Sequence, residues 1–205
     1  MTRWEAIEES FTRLHNFALT DIEGFASNRT GGNYGLVGLV VAACDALGGR
    51  CYGGDSGHLV LRRCLPDEWK PVSDILYDAL RHGLIHMYDP MIVMDAGEPV
   101  GFAVGWAGES RHMQLVSSDP KLLYVNATSL ASDLRRAFAE IELELRNDPE
   151  LRDMFYKRDR KNRERHLDKS DAERWRAALK NAPVSSEPWP PPEPSQGATG
   201  PQGAR

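Results

Sequence analysis

Between Tyr34 and Leu47 the chain is apolar nearly all round a helix, with Gly31-Gly32-Asn33 before it and Gly48-Gly49 after it. Such a helix has no face to offer water, so other elements must surround it; a helical bundle does this most simply. The glycines supply the break on one side and the C-terminal stop on the other. The longest apolar stretch, Leu36 to Cys44, is shorter than the roughly 20 residues a bilayer requires.

The flanking sequence supplies the neighbours. Trp4, Ile7, Phe11, Leu14, Ala18, Ile22 and Phe25 recur every three or four residues and predict one amphipathic helix over about 2–25. A third helix is expected over about 67–88, regular after Pro71, and Asp89-Pro90 ends it. Its core face reads as Val72, Ile75, Leu76, Ala79, Leu80, Gly83, Leu84 and Met87. Residues 50–66 between these helices are glycine-rich and read as loop with a short ordered piece.

The pattern then changes. MIVM, VGFAVGWA, HMQLV and LLYV are short β-leaning runs separated by turn residues, expected to form two hairpins or a small meander at about 91–126. The helical period returns over about 128–146 through Leu130, Leu134, Phe138, Ile141 and Leu145, and Asn147-Asp148-Pro149 punctuates it. Further on, Ser170 and Glu173 are spaced as a capping box for a short helix. Beyond residue 182 lie seven of the thirteen prolines and almost nothing to bury, so a disordered tail is expected, either a plain flexible terminus or a PxxP ligand. The fold class read from this is mainly α: a four- or five-helix bundle with a small β insertion between the third and fourth main helices. The expected parts are a helical domain at 1–166, a short helix at 167–182 and a Pro-rich tail at 183–205.

Charge narrows the partners. A net charge of −5 and a pI near 5.7 argue against gripping long nucleic acid with the whole surface, so any such contact is local. The run KRDRKNRERH at 157–166 is the one basic stripe; Lys157, Arg158, Arg160, Lys161 and Arg163 either track an RNA backbone or belong to a solvated helix of alternating charge. Cys44, Cys51 and Cys64 are an odd number without C-x-x-C spacing, which points to buried reduced thiols and not to a disulfide framework or zinc site. The stretch GGRCYGGDSG lacks the Gly-Lys-Ser/Thr ending of a phosphate loop and reads as turns. No motif asks for a cofactor, and the acidic, amphipathic N-terminus has no signal-peptide core, so the expected location is cytoplasmic.

The residues that carry chemistry stand at the end of the third helix. Arg81-x4-His86 alone is expected about 0.6 times by chance in a chain of this composition; Tyr88 in phase lowers this to about 0.02. On an ideal wheel Arg81 lies opposite the apolar face, with Asp74, Tyr77, Asp78 and Tyr88 on its side, while His82 and His86 share one flank. Arg81 and His86 are then about 140° apart, so one copy makes a poor pocket and a second helix bearing the same pair would complete it. Two other readings remain open on these residues. Arg81 reads equally as a solvated arginine and His86 as a histidine at a helix end. His82 and His86 at i, i+4, near Asp78 and Asp89, could also begin a metal site, although no third ligand is evident.

LYDALRHGLIHMYDP resembles the signature helix of the HEPN superfamily (higher eukaryotes and prokaryotes nucleotide-binding), in which Arg, a polar residue, three more residues and His end the third bundle helix. The polar position, often Asn, is His82 here. The resemblance spans roughly residues 1–148, of which about fifteen are specific. It implies metal-independent RNA cleavage by a homodimer whose motif helices face each other, with a 2′,3′-cyclic phosphate and a 5′-OH as product ends. In that reading His86 is the general acid/base and Arg81 binds the phosphate and stabilises its developing charge, with His82, Tyr88, Tyr77 and Asp78 in support. Arg81, His86 and Tyr88 also match the Arg-x4-His-x-Tyr of HEPN–MNT toxins, which implies a toxin or defence effector and a nucleotidyltransferase-type antitoxin able to modify Tyr88 with AMP. The alternative within the resemblance is a non-catalytic module that binds RNA or a protein partner.

Overall fold

The computed structural model describes residues 2–27, 32–87, 89–106, 112–118, 120–163 and 169–182, and gives the backbone alone at a few of them, His86 and Arg163 included. Its architecture is mainly helical with one small sheet. The elements in chain order are α1 (Arg3–Leu14), α2 (Thr20–Ser27), α3 (Asn33–Cys51), α4 (Gly57–Cys64), α5 (Ser73–His82), β1 (Val93–Asp95), β2 (Glu98–Gly105), β3 (Gln114–Ser118), β4 (Lys121–Asn126), α6 (Ala127–Asn147), α7 (Pro149–Arg163) and α8 (Lys169–Asn181). The chain divides into a unit ending at Glu164 and a second from Arg165, of which α8 is the described part; on it Trp175 and Leu179 are exposed. The Pro-rich tail lies outside the described residues.

The apolar helix α3 is the centre of the first unit. Leu36, Val37, Val40, Val41, Cys44, Leu47 and Cys51 are wholly buried, and α4, α5, α6 and α7 pack around them. By length and composition α3 is long and apolar enough to cross a membrane, but half of it is buried within the bundle. Its two charged residues are each paired to another helix, Asp45 to Arg81 and Arg50 to Asp159.

One helical expectation is corrected and two are extended. A capping box of Thr2 and Glu5 starts α1, but the single helix expected over 2–25 is broken by a π turn at His15–Leu19. The extra residue in that turn shifts the phase, so Leu19 is buried and Phe25 is left half-exposed. Residues 57–64, within the stretch expected as loop with a short ordered piece, form α4, which buries Val60, Leu61 and Cys64. Gly57 lets α4 meet α5 closely: a Cβ there would lie 2.4 Å from the Tyr77 hydroxyl. Finally, Asn147-Asp148-Pro149 is a corner between two helices. Asp148 accepts the Glu150 and Leu151 amides at 2.8 and 3.1 Å and so caps α7, whose Leu151, Phe155 and Asp159 are buried.

The expected third helix is also shorter and turned. A 3-10 turn at Lys70–Val72 precedes α5, and a π turn at Gly83–Met87 follows it. Ile75 and Met87, expected in the core, are 48% and 71% exposed, while Tyr77, expected on the exposed strip, is 2% exposed. The reason is α4: it packs on the Tyr77 side of α5, where the sequence offered no obvious helix.

The β runs form one sheet in the order β1-β2-β4-β3. The outer pairs are antiparallel hairpins, and the inner pair is parallel, from Val100 opposite Lys121 to Gly105 opposite Asn126. Two hairpins laid side by side therefore replace the meander alternative. Asn33 of α3 donates to the Val104 carbonyl, and Trp69 Nε1 donates to the Met113 carbonyl at 2.9 Å, which ties the sheet to the bundle. Asn126 ends β4 and caps α6, accepting the Thr128 and Ser129 amides at 3.0 Å each.

Candidate functional site

Arg81 sits in the last turn of α5, and the chain folds back over that turn. The Met91 amide donates to the Ala79 carbonyl at 3.0 Å. This return needs glycine at 83, since a Cβ there would lie 2.3 Å from the Asp89 carbonyl oxygen and 2.5 Å from the Met91 nitrogen. Between helix end and return segment runs the π turn that contains His86.

That turn changes the expected geometry. A π turn winds at roughly 80° per residue where an α-helix winds at about 100°, so the Arg81 and His86 positions stand about 80° apart, not about 140°. The π turn thus brings the two positions nearer to one side than an ideal α-helix would. The His86 side chain and the whole of Tyr88 lie outside the described residues.

The Arg81 side chain is 27% exposed. Its Nη2 donates to Asp45 Oδ2 at 3.3 Å, and its Cζ stands 5.9 Å from the Tyr77 ring centroid. A carboxylate from the central helix and an aromatic ring from its own helix thus fix the guanidinium; Asp45 takes one Nη2 hydrogen, and the other leaves one two-point edge for a second, planar contact such as a phosphate. Among the described residues the buried Tyr77 hydroxyl has no well-aligned hydrogen-bond partner. Burial first, and next the nearby Asp45 carboxylate, raise its pKa, so the phenol stays neutral. The His58 ring meets Tyr77 edge-on at 6.4 Å. Asp45 is the site residue that sequence reading missed; its signal was a lone carboxylate in an otherwise apolar helix.

His82, Asp74 and Asp78 are exposed on α5. Around them stand Ile75, Ile85, Met87, Met91 and Ile92, all large, apolar and exposed. They come from α5, the π turn and the return segment, the elements that carry or adjoin Arg81 and His86.

The basic stripe divides. Lys157, Arg160 and Lys161 are exposed, and Arg160 lies over the Tyr156 ring at 5.9 Å. Arg158 instead turns inward: Nη1 donates to the Cys51 carbonyl at 2.5 Å, closing the C-terminal end of α3. The Arg163 side chain lies outside the described residues. Cys44, Cys51 and Cys64 are buried free thiols. Burial pushes Cys51 up to about 12, and Cys44 is raised chiefly by its hydrogen bond with Cys64. Among the described residues no three of His, Cys, Asp and Glu gather in a group that could hold a metal ion; the His82–His86 pair involves a side chain beyond that description.

No protein-family model matches this chain, and no curated protein or solved structure matches it either. The resemblance stated above rests on its residues alone.

Proposed function

We propose that the chain is a HEPN-type endoribonuclease that cleaves RNA without a metal, acting as a toxin or defence effector. One observation carries the reading: Arg81 is held by Asp45 at the end of a bundle helix, five residues before His86 in a π turn. π turns inside helices are frequent at functional sites. Arg81 binds the scissile phosphate and stabilises its equatorial charge. His86 takes the ribose 2′-OH proton or protonates the leaving 5′-oxygen. His82 and Tyr88 contribute beside it, and two chains pair through the motif helix over the exposed apolar residues around it. A nucleotidyltransferase-type antitoxin is the neutralising partner of this reading.

A second reading draws on the same ion pair. Asp45 gives Arg81 a structural reason to exist, which suits a non-catalytic module that binds RNA or a protein through the exposed apolar residues. The assay that separates them incubates purified protein with RNA in chelator, beside Arg81→Ala and His86→Ala. The enzyme reading expects cleavage that both variants lose. RNA left intact, or cut equally by all three, rejects it.

A further inference from the structure

A groove of about 710 Å³ lies between α4 and α6, and neither Arg81 nor His82 lines it. Four cations border it: Arg62 and Arg63 from α4, Lys70 from the 3-10 turn, and Arg136 from α6. We infer that this groove is a separate binding site for a small, hydroxylated phosphate ester, independent of the ribonuclease reading.

Arg63, 25% exposed, is pre-set inside the groove, and Arg136, 57% exposed, lies across its rim. Arg63 makes a two-point contact with Glu144 at 2.7 and 2.9 Å and donates to the Tyr52 hydroxyl at 2.8 Å. Arg136 uses Nη2 for Asp133 Oδ1 at 3.0 Å and for the Arg63 carbonyl at 3.3 Å, which links the two walls. Carboxylates thus orient both groups, Arg63 firmly and Arg136 more loosely, and a donor already oriented binds phosphate at lower entropic cost. The rim cations are available. Arg62 has no ion pair among the described residues, and Lys70 pairs only with Asp67, whose side chain is 93% exposed. A pair so open to water is weak, and a phosphate can displace it.

The same wall carries acceptors for hydroxyl groups. Asp133 and Glu140 line the groove, and Asp133 is backed by His112, whose Nε2 stands 3.8 Å from its Oδ2. His112 Nδ1 accepts the Asn126 amide, so its proton sits on Nε2 and faces that carboxylate. Nε2 is buried and has no hydrogen-bond partner among the described residues. A groove with cations on both walls and the Asp133 and Glu140 carboxylates on the α6 wall fits a phosphorylated polyol better than an apolar or purely anionic ligand.

Isothermal titration with ribose 5-phosphate, in chelator and low salt, tests this on the full chain. Saturable binding is expected, with inorganic pyrophosphate competing and free ribose failing to bind. Arg62→Glu with Lys70→Glu, both at rim positions that leave the core untouched, should weaken binding at least about tenfold, with an unchanged thermal unfolding midpoint; Arg81→Ala should leave it unaltered. Three outcomes overturn the site: no saturable binding of ribose 5-phosphate at millimolar concentration, whatever pyrophosphate does; binding that the rim variant does not weaken; or binding of an oligoribonucleotide alone.

Discussion

Asp45 meets Arg81 across two helices, and each is only partly covered, so the contact is a positioning device more than a source of stability. His112 shows a different balance. Its Nδ1 accepts a backbone amide and burial lowers its pKa from 6.5, so the folded ring stays neutral where a free histidine would take a proton. Asp133, at 3.8 Å, is too distant to hydrogen-bond and does not reverse this. The sign follows from linkage: as pH falls below about 6.5 the unfolded chain binds a proton that the folded chain refuses, and stability drops. The urea midpoint should therefore fall between about pH 7 and about pH 5, and His112→Gln should flatten that fall. An equal fall in the variant contradicts the assignment. At this scale the sequence was a partial guide. Arg81 was visible as a motif residue, whereas Asp45 and His112 acquire meaning only from partners 36 and 21 residues away in sequence.

Elements were legible where a period ran long enough to show. The central helix, the closing helix α6 and the β runs could be read directly, since burial on all sides, on one face or on alternate residues each leaves its own pattern. α4 was not legible: eight residues behind a glycine-rich turn carry too few periods to separate helix from loop. Missing α4 also misplaced the core face of α5, because Tyr77 is buried only where α4 covers it. The π turns were hidden for a similar reason, as one extra residue shifts a phase without altering composition. For α7 the charge of its sequence masked its core role. Phe155 is wholly buried and stands 6.4 Å from Phe11, which in turn stands 5.7 Å from Phe138. Phe155→Ala should cost about 3–5 kcal/mol, read by urea unfolding; a loss under about 1 kcal/mol would mean that α7 does not share the core.

For the whole molecule, the first unit places a fixed arginine and a π turn beside large exposed apolar side chains. The case for pairing rests less on the angle between Arg81 and His86 than on Ile75, Ile85, Met87, Met91 and Ile92, large apolar side chains left exposed. Sedimentation should find a dimer that Ile85→Asp with Met87→Asp converts to a folded monomer; a wild-type monomer at about 100 µM contradicts the pairing. The central claim is narrower still, that Arg81 and His86 cut RNA through the ribose 2′-OH. Its most direct measurement reads the ends of the products formed from RNA by the wild-type chain in chelator. The account expects a 2′,3′-cyclic phosphate on one fragment and a 5′-OH on the other, both absent with Arg81→Ala and with His86→Ala. Uncut RNA, or fragments ending in 3′-OH and 5′-phosphate, would contradict it.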